Sequence, residues 1–136
     1  MRHAFVALSL FIAVSLSACG NICKKGDTNC ACAMAGGCSW TCSGGECAFS
    51  NSGAGDATFE CPDGKCTLAN SGQGNASLAC AGGHCTLANS GQGTASIACS
   101  GGGCSATCSG QGTCNITSCP TCTCSATAIT ATCNVN

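Results

Sequence analysis

Cysteine is the one side chain in this sequence frequent enough, and spaced closely enough, to do chemistry: 19 of the 136 residues are Cys. Cys119-Pro-Thr-Cys122-Thr-Cys124 holds a CxxC and a CxC spacing, and Cys30-Ala-Cys32 holds a second CxC. Thiolates this close can chelate zinc or copper(I). A CxxC can also run redox exchange when its surroundings depress a thiol pKa. The rest of the inventory is thin. His84 stands in the glycine corner AGGH, the one histidine from residue 19 onward and with no recurring acid nearby, so no triad or general-base pair forms. No catalytic residue is expected. From residue 19 onward Lys24, Lys25 and Lys65 face Asp27, Glu46, Asp56, Glu60 and Asp63, a net charge of −2. With no arginine in that region and no basic patch, nucleic acid is not an expected partner.

The remaining cysteines mark a frame that would position any such chemistry. Cys42-SGGE-Cys47, Cys61-PDGK-Cys66, Cys80-AGGH-Cys85 and Cys99-SGGG-Cys104 recur with a period of 19 residues. The nine residues CTLANSGQG occur identically at 66–74 and 85–93. A fixed period near this length marks stacked repeats. Within a unit, Cys85-Thr-Leu87-Ala-Asn89 and Ala95-Ser-Ile97-Ala-Cys99 alternate with period two, as half-buried strands do. Gly-rich links separate them, and glycine permits the positive φ angles of tight corners. The expected fold is all-β: a small disulfide-rich β-solenoid with two short strands per 19-residue coil. An antiparallel β-meander is the alternative. The solenoid stacks residue i on i+19 and makes ladders of Asn51, Asn70 and Asn89, of Phe49, Leu68 and Leu87, and of Phe59, Leu78 and Ile97. Inward asparagines gain from such stacking, which favours the solenoid.

Large apolar side chains are too few for an ordinary core at this length, so staples are needed. Cysteines flanking each four-residue corner would face each other inside a coil. The expected pairs are Cys42–Cys47, Cys61–Cys66, Cys80–Cys85 and Cys99–Cys104. In the next unit Cys108 takes the Asn89 slot and Cys114 the Ala95 slot, which predicts Cys108–Cys114 across the opposite corner. Cys23, Cys30, Cys32 and Cys38 at the front, and Cys119, Cys122, Cys124 and Cys133 at the back, can pair in three ways at each end.

The N-terminus sets the compartment. Met1-Arg2-His3 precedes an apolar run from Ala4 to Leu16, ending in Leu16-Ser17-Ala18-Cys19. A positive start, a short apolar run and small residues before a cut form a secretory signal. Leu-Ser-Ala-Cys resembles the lipobox of bacterial lipoproteins. The resemblance implies cleavage before Cys19 and lipidation of Cys19. It thus divides the chain into a signal peptide at 1–18, a lipidated tether at 19–29 and one disulfide-stapled repeat domain at 30–136. The membrane, reached through the N-terminal lipid, is then a partner, and the address is the cell envelope: the outer membrane in a Gram-negative host, since Gly20 and not Asp follows the cysteine. Subtracting Cys19 leaves 18 cysteines, an even number. In an exported chain these read as a disulfide framework, with no metal or other cofactor expected.

Metallothioneins resemble the terminal cysteine clusters but lack the Leu and Ile that stand between these Cx4C pairs. Cys119-Pro-Thr-Cys122 resembles a thioredoxin-type CxxC, yet no βαβ pattern surrounds it, so a structural disulfide is expected. Calcium-binding glycine repeats would need Asp where Ala57, Ala76 and Ala95 stand. The outward columns, such as Thr67 with Thr86 and Ala79 with Ala98, resemble the flat faces of ice-binding solenoids. As a whole the repeats resemble Cys/Gly-rich bacterial lipoproteins of unknown function. The expectation is a structural, adhesive or binding role on the cell envelope without catalysis, through contact with an unknown protein or polymer partner. Zinc or copper binding is the alternative, and ice or surface binding the minor one.

Overall fold

The computed structural model describes residues 21–136; the expected signal segment and Cys19 lie outside the described residues. Thirteen short strands follow one another: β1 (Asn21–Lys24), β2 (Cys30–Cys32), β3 (Cys38–Ser43), β4 (Ala48–Asn51), β5 (Ala57–Glu60), β6 (Thr67–Asn70), β7 (Ala76–Ala79), β8 (Thr86–Asn89), β9 (Ala95–Ala98), β10 (Ser105–Cys108), β11 (Thr113–Thr117), β12 (Thr123–Ala126) and β13 (Thr132–Val135). No helix occurs among the described residues. Odd-numbered strands form a seven-stranded sheet and even-numbered strands a six-stranded one, each in sequence order. Every pairing is parallel. Chain neighbours therefore lie in opposite sheets, which excludes the meander and defines a β-solenoid.

The register follows the repeat. Asn70 pairs with Asn89, and Leu78 with Ile97, each 19 residues apart. One exception follows the corner between β11 and β12, where Ser105 pairs with Thr123 and the spacing drops to 18. Alternation decides the faces: along Thr86–Asn89 exposed and buried residues alternate, and along Ala76–Ala79 the order is reversed. Phe49, Leu68 and Leu87 from one sheet meet Phe59, Leu78 and Ile97 from the other, all at most 2% exposed. Phe49 and Phe59 stack with ring centroids 4.7 Å apart.

The first coil starts earlier than the sequence suggests. Residues 21–24, expected within the tether, form β1, and Cys23 pairs in register with Cys42. Cys23 is 1% exposed because it fills the slot that Cys42, Cys61 and Cys80 fill in later coils.

The two kinds of corner use glycine for different reasons. In the Cx4C corners the chain turns through the left-handed region, with Gly83 at φ 76° and His84 at φ 56°, the positive φ that glycine tolerates best. The SGxG corners need no such angle. There a Cβ on Gly91 would overlap the carbonyl oxygen of Gly72 one coil below, and a Cβ on Gly93 would overlap that of Gly74. Backbone stacks directly on backbone, so the repeated glycines of CTLANSGQG are set by the close approach of adjacent coils.

Candidate functional site and its sulfur frame

The described cysteines form nine disulfides. Along one corner run Cys42–Cys47, Cys61–Cys66, Cys80–Cys85 and Cys99–Cys104, with Cα–Cα distances of 6.0 to 6.4 Å. Cys108–Cys114 closes the opposite corner. The eight cysteines left open by the sequence pair as Cys23–Cys30, Cys32–Cys38, Cys119–Cys122 and Cys124–Cys133. Their logic is positional. Cys32 stands in register with Asn51 and Cys38 with Ala57, the same two slots that Cys108 and Cys114 occupy in a later coil. Cys119–Cys122 spans the corner shortened by one residue.

Between these two opposite-corner staples lies the asparagine ladder. Asn51 Nδ2 donates to Asn70 Oδ1 at 3.1 Å, and Asn70 Nδ2 to Asn89 Oδ1 at 3.1 Å. Asn89 Nδ2 completes the run by donating to Gly93 O at 2.9 Å. The backbone N–H groups of Gly53 and Gly91 donate to the Asn51 and Asn89 side chains. All three asparagines are 1% exposed. Buried amides are tolerable because their hydrogen bonds are met. In the coils without Asn at this slot a disulfide does the same work: it ties the corner across the thin interior.

A frame tied at both corners holds its outer faces in fixed register. One sheet presents Thr58, Ser77 and Ser96, flanked by Ala79 and Ala98; the other presents Thr67 and Thr86 beside Ala69 and Ala88. Parallel neighbours lie about 4.8 Å apart, so each column is an array of small polar groups at that repeat. The first sheet also borders a cleft of about 440 Å³ lined by Asp56, Thr58, Asn75, Ser77, Thr94 and Ser96. Its floor is wired along the stack. Asn75 donates from its backbone N and its Nδ2 to Asp56 Oδ1 at 3.0 and 3.1 Å, and the backbone N of Thr94 donates to Asn75 Oδ1 at 2.9 Å. Sequence reasoning missed this column, although Asp56, Asn75 and Thr94 each follow an SGxG corner at the 19-residue period. The arrangement offers hydroxyls, amides and one carboxylate to a ligand and supplies no nucleophile.

His84, the other chemically versatile side chain, is exposed. Three sulfur clusters lie with their atoms within 4.8 Å of one another: Cys42 with Cys61 and Cys66, Cys80 with Cys99 and Cys104, and Cys99 with Cys119 and Cys122. Each sulfur is held in a disulfide, and a metal would require the thiolate. The chain matches no protein-family model, no curated protein and no solved structure.

Proposed function

We propose that this chain is a lipid-anchored scaffold of the cell envelope, on the outer membrane if the host is Gram-negative, which makes contacts through its repeated outer faces and performs no catalysis. The observation that carries this reading is the polar column of Asp56, Asn75 and Thr94 beside Thr58, Ser77 and Ser96, repeated at the 19-residue period on a frame stapled at both corners. Repeated groups at fixed spacing suit a multivalent contact with a protein or polymer that itself repeats. The anchor rests on Leu16-Ser17-Ala18-Cys19, and several acyl chains at Cys19 would make attachment stable. Fractionation of cells making the wild type and Cys19→Ser tests it. The wild type is expected with the membranes and labelled by radioactive palmitate. An unlabelled wild type, or Cys19→Ser that labels equally, would refute the anchor.

The sulfur clusters favour a second reading, a thiol protein that binds zinc or copper. Intact mass of denatured protein separates the two. No alkylation before reduction and 18 alkylations after it support the scaffold. Free thiols with co-purifying zinc or copper support the metal reading.

A further inference from the structure

The corner disulfides are stacked closely enough to exchange with one another. Cys104 Sγ lies 3.9 Å from Cys80 Sγ in the next coil. Cys99, Cys119 and Cys122 have all their sulfurs within 4.8 Å, as do Cys80, Cys99 and Cys104. Three disulfides, 119–122, 99–104 and 80–85, thus make one continuous sulfur path. The path has one accessible end. Cys119 and Cys122 are half-buried, whereas Cys80, Cys85, Cys99 and Cys104 are at most 2% exposed. It also has polarity. The backbone N–H of Cys104 points at Cys122 Sγ at 3.2 Å, and the backbone N–H of Cys85 at Cys104 Sγ at 3.3 Å. A hydrogen bond to sulfur favours the thiolate, the better leaving group. An amide therefore waits at two of the three sulfurs that must leave, Cys122 and Cys104.

We propose that Cys119–Cys122 is a thiol-exchange site, at which an external dithiol passes one electron pair into a relay of stacked disulfides that ends at Cys85. A thiolate of the dithiol attacks Cys119 Sγ, forming a mixed disulfide and releasing Cys122 as thiolate. The second thiol of the reagent attacks that mixed disulfide, frees Cys119 and leaves the reagent oxidised to its own disulfide. The Cys122 thiolate attacks Cys99 Sγ, forming Cys99–Cys122 and releasing the Cys104 thiolate. The Cys104 thiolate attacks Cys80 Sγ, forming Cys80–Cys104 and releasing Cys85. The number of protein disulfides falls by one, two electrons come from the dithiol, and the new thiols are Cys119 and Cys85. No three-sulfur cluster joins Cys61 or Cys66 to Cys80 or Cys85, and the proposed path ends at Cys85.

The test is limited reduction of the folded protein with less than one equivalent of dithiothreitol. Acid quenching, alkylation of free thiols and peptic digestion at low pH follow, with linkages read by mass spectrometry. The expected products carry label at Cys119 and Cys85 and the linkages Cys99–Cys122 and Cys80–Cys104. Label confined to Cys119 and Cys122, with all other pairs intact, would overturn the relay. So would linkages to Cys61 or Cys66 as frequent as those to Cys104, because they mark random scrambling. A second variant, Cys119→Ser with Cys122→Ser, removes the accessible disulfide and should slow labelling of Cys85 roughly tenfold or more, as loss of the attacking thiolate predicts; an unchanged rate refutes the proposal.

Discussion

Replacing Asn70 with alanine tests whether the ladder holds the coils together. Asn70 accepts from Asn51 Nδ2 and donates to Asn89 Oδ1, each at 3.1 Å, with a longer contact to Gly74 O at 3.4 Å. Alanine removes both strong bonds, which contribute about 0.5–1.5 kcal/mol each. It also leaves the buried Asn51 Nδ2 without that acceptor, a desolvation cost of about 1–3 kcal/mol. Asn89 Oδ1 keeps the Gly91 N–H at 3.2 Å and is not stranded. These terms overlap, and about 2–4 kcal/mol of lost stability is expected. Guanidinium unfolding with the disulfides intact reads it directly, with Ser71→Ala, an exposed neighbour, as control. Asn70→Asp extends the test to pH. A buried carboxylate could accept from Asn51 but could not donate to Asn89, so its proton would be held above the ordinary value of about 3.9. A folded-state pKa above the unfolded one means that the folded form binds the proton more tightly. The variant should therefore be nearest to wild type below about pH 3.9 and lose stability as pH rises from there toward the folded value. Asn70→Ala within about 0.5 kcal/mol of the Ser71→Ala control, the spread of neutral surface changes, would refute the ladder as a source of stability.

Three further outcomes follow from the same stacking. Gly91→Ala forces a methyl against Gly72 O; overpacking of about 1–3 kcal/mol should outweigh the gain of about 0.4–1 kcal/mol from a stiffer unfolded chain, and a raised denaturation midpoint would show that the coils are not in contact there. Asn70→Cys with Ala76→Cys places cysteines in the slots of Cys32–Cys38 and Cys108–Cys114, both six residues apart; a tenth disulfide is expected, read by mass spectrometry as no alkylation before reduction. Ser77→Lys on the outer face should leave stability within about 0.5 kcal/mol, whereas Ala76→Leu, at a position 0% exposed, should cost about 1–3 kcal/mol or more; the reverse order in denaturant titration would mean that β7 faces the other way.

The repeating coils were legible because each inward position carries a distinct side chain. Leu68 and Leu87, Asn70 and Asn89, and the Cx4C corners define a register that slipping by one residue would turn inside out. The front end was less legible, and the reason is substitution within slots. Cys30 stands where later coils have Phe49 and Leu68, so Cys23–Cys30 spans seven residues where its equivalents span five. A reader counting Cx4C spacings finds no pair there and assigns a tether. The groove column was missed for a different cause. Asp56, Asn75 and Thr94 differ in chemistry, and only the register shows that they share backbone-to-side-chain bonds along one line.

Charge is distributed along the stack as unevenly as chemistry. Between Asn21 and Asn136 every Lys, Asp and Glu lies at or before Lys65, and residues 66–136 contain none. In a solenoid, chain position is axial position, so the charged coils lie at one end and the neutral coils at the other. The charged end is also the one nearest Cys19 in sequence. If Cys19 is lipidated, lysines and carboxylates lie toward the membrane surface, and the charge-free coils project away from it. Contact made by those outer coils would depend on hydroxyl and amide groups and on close packing, with little Coulomb attraction to be screened. Binding through Ser77, Thr94 and Ser96 should accordingly vary little with salt. Binding that weakens steeply between low and high ionic strength would instead point to the first coils, which bear Lys24, Lys25 and Glu46, as the contact surface.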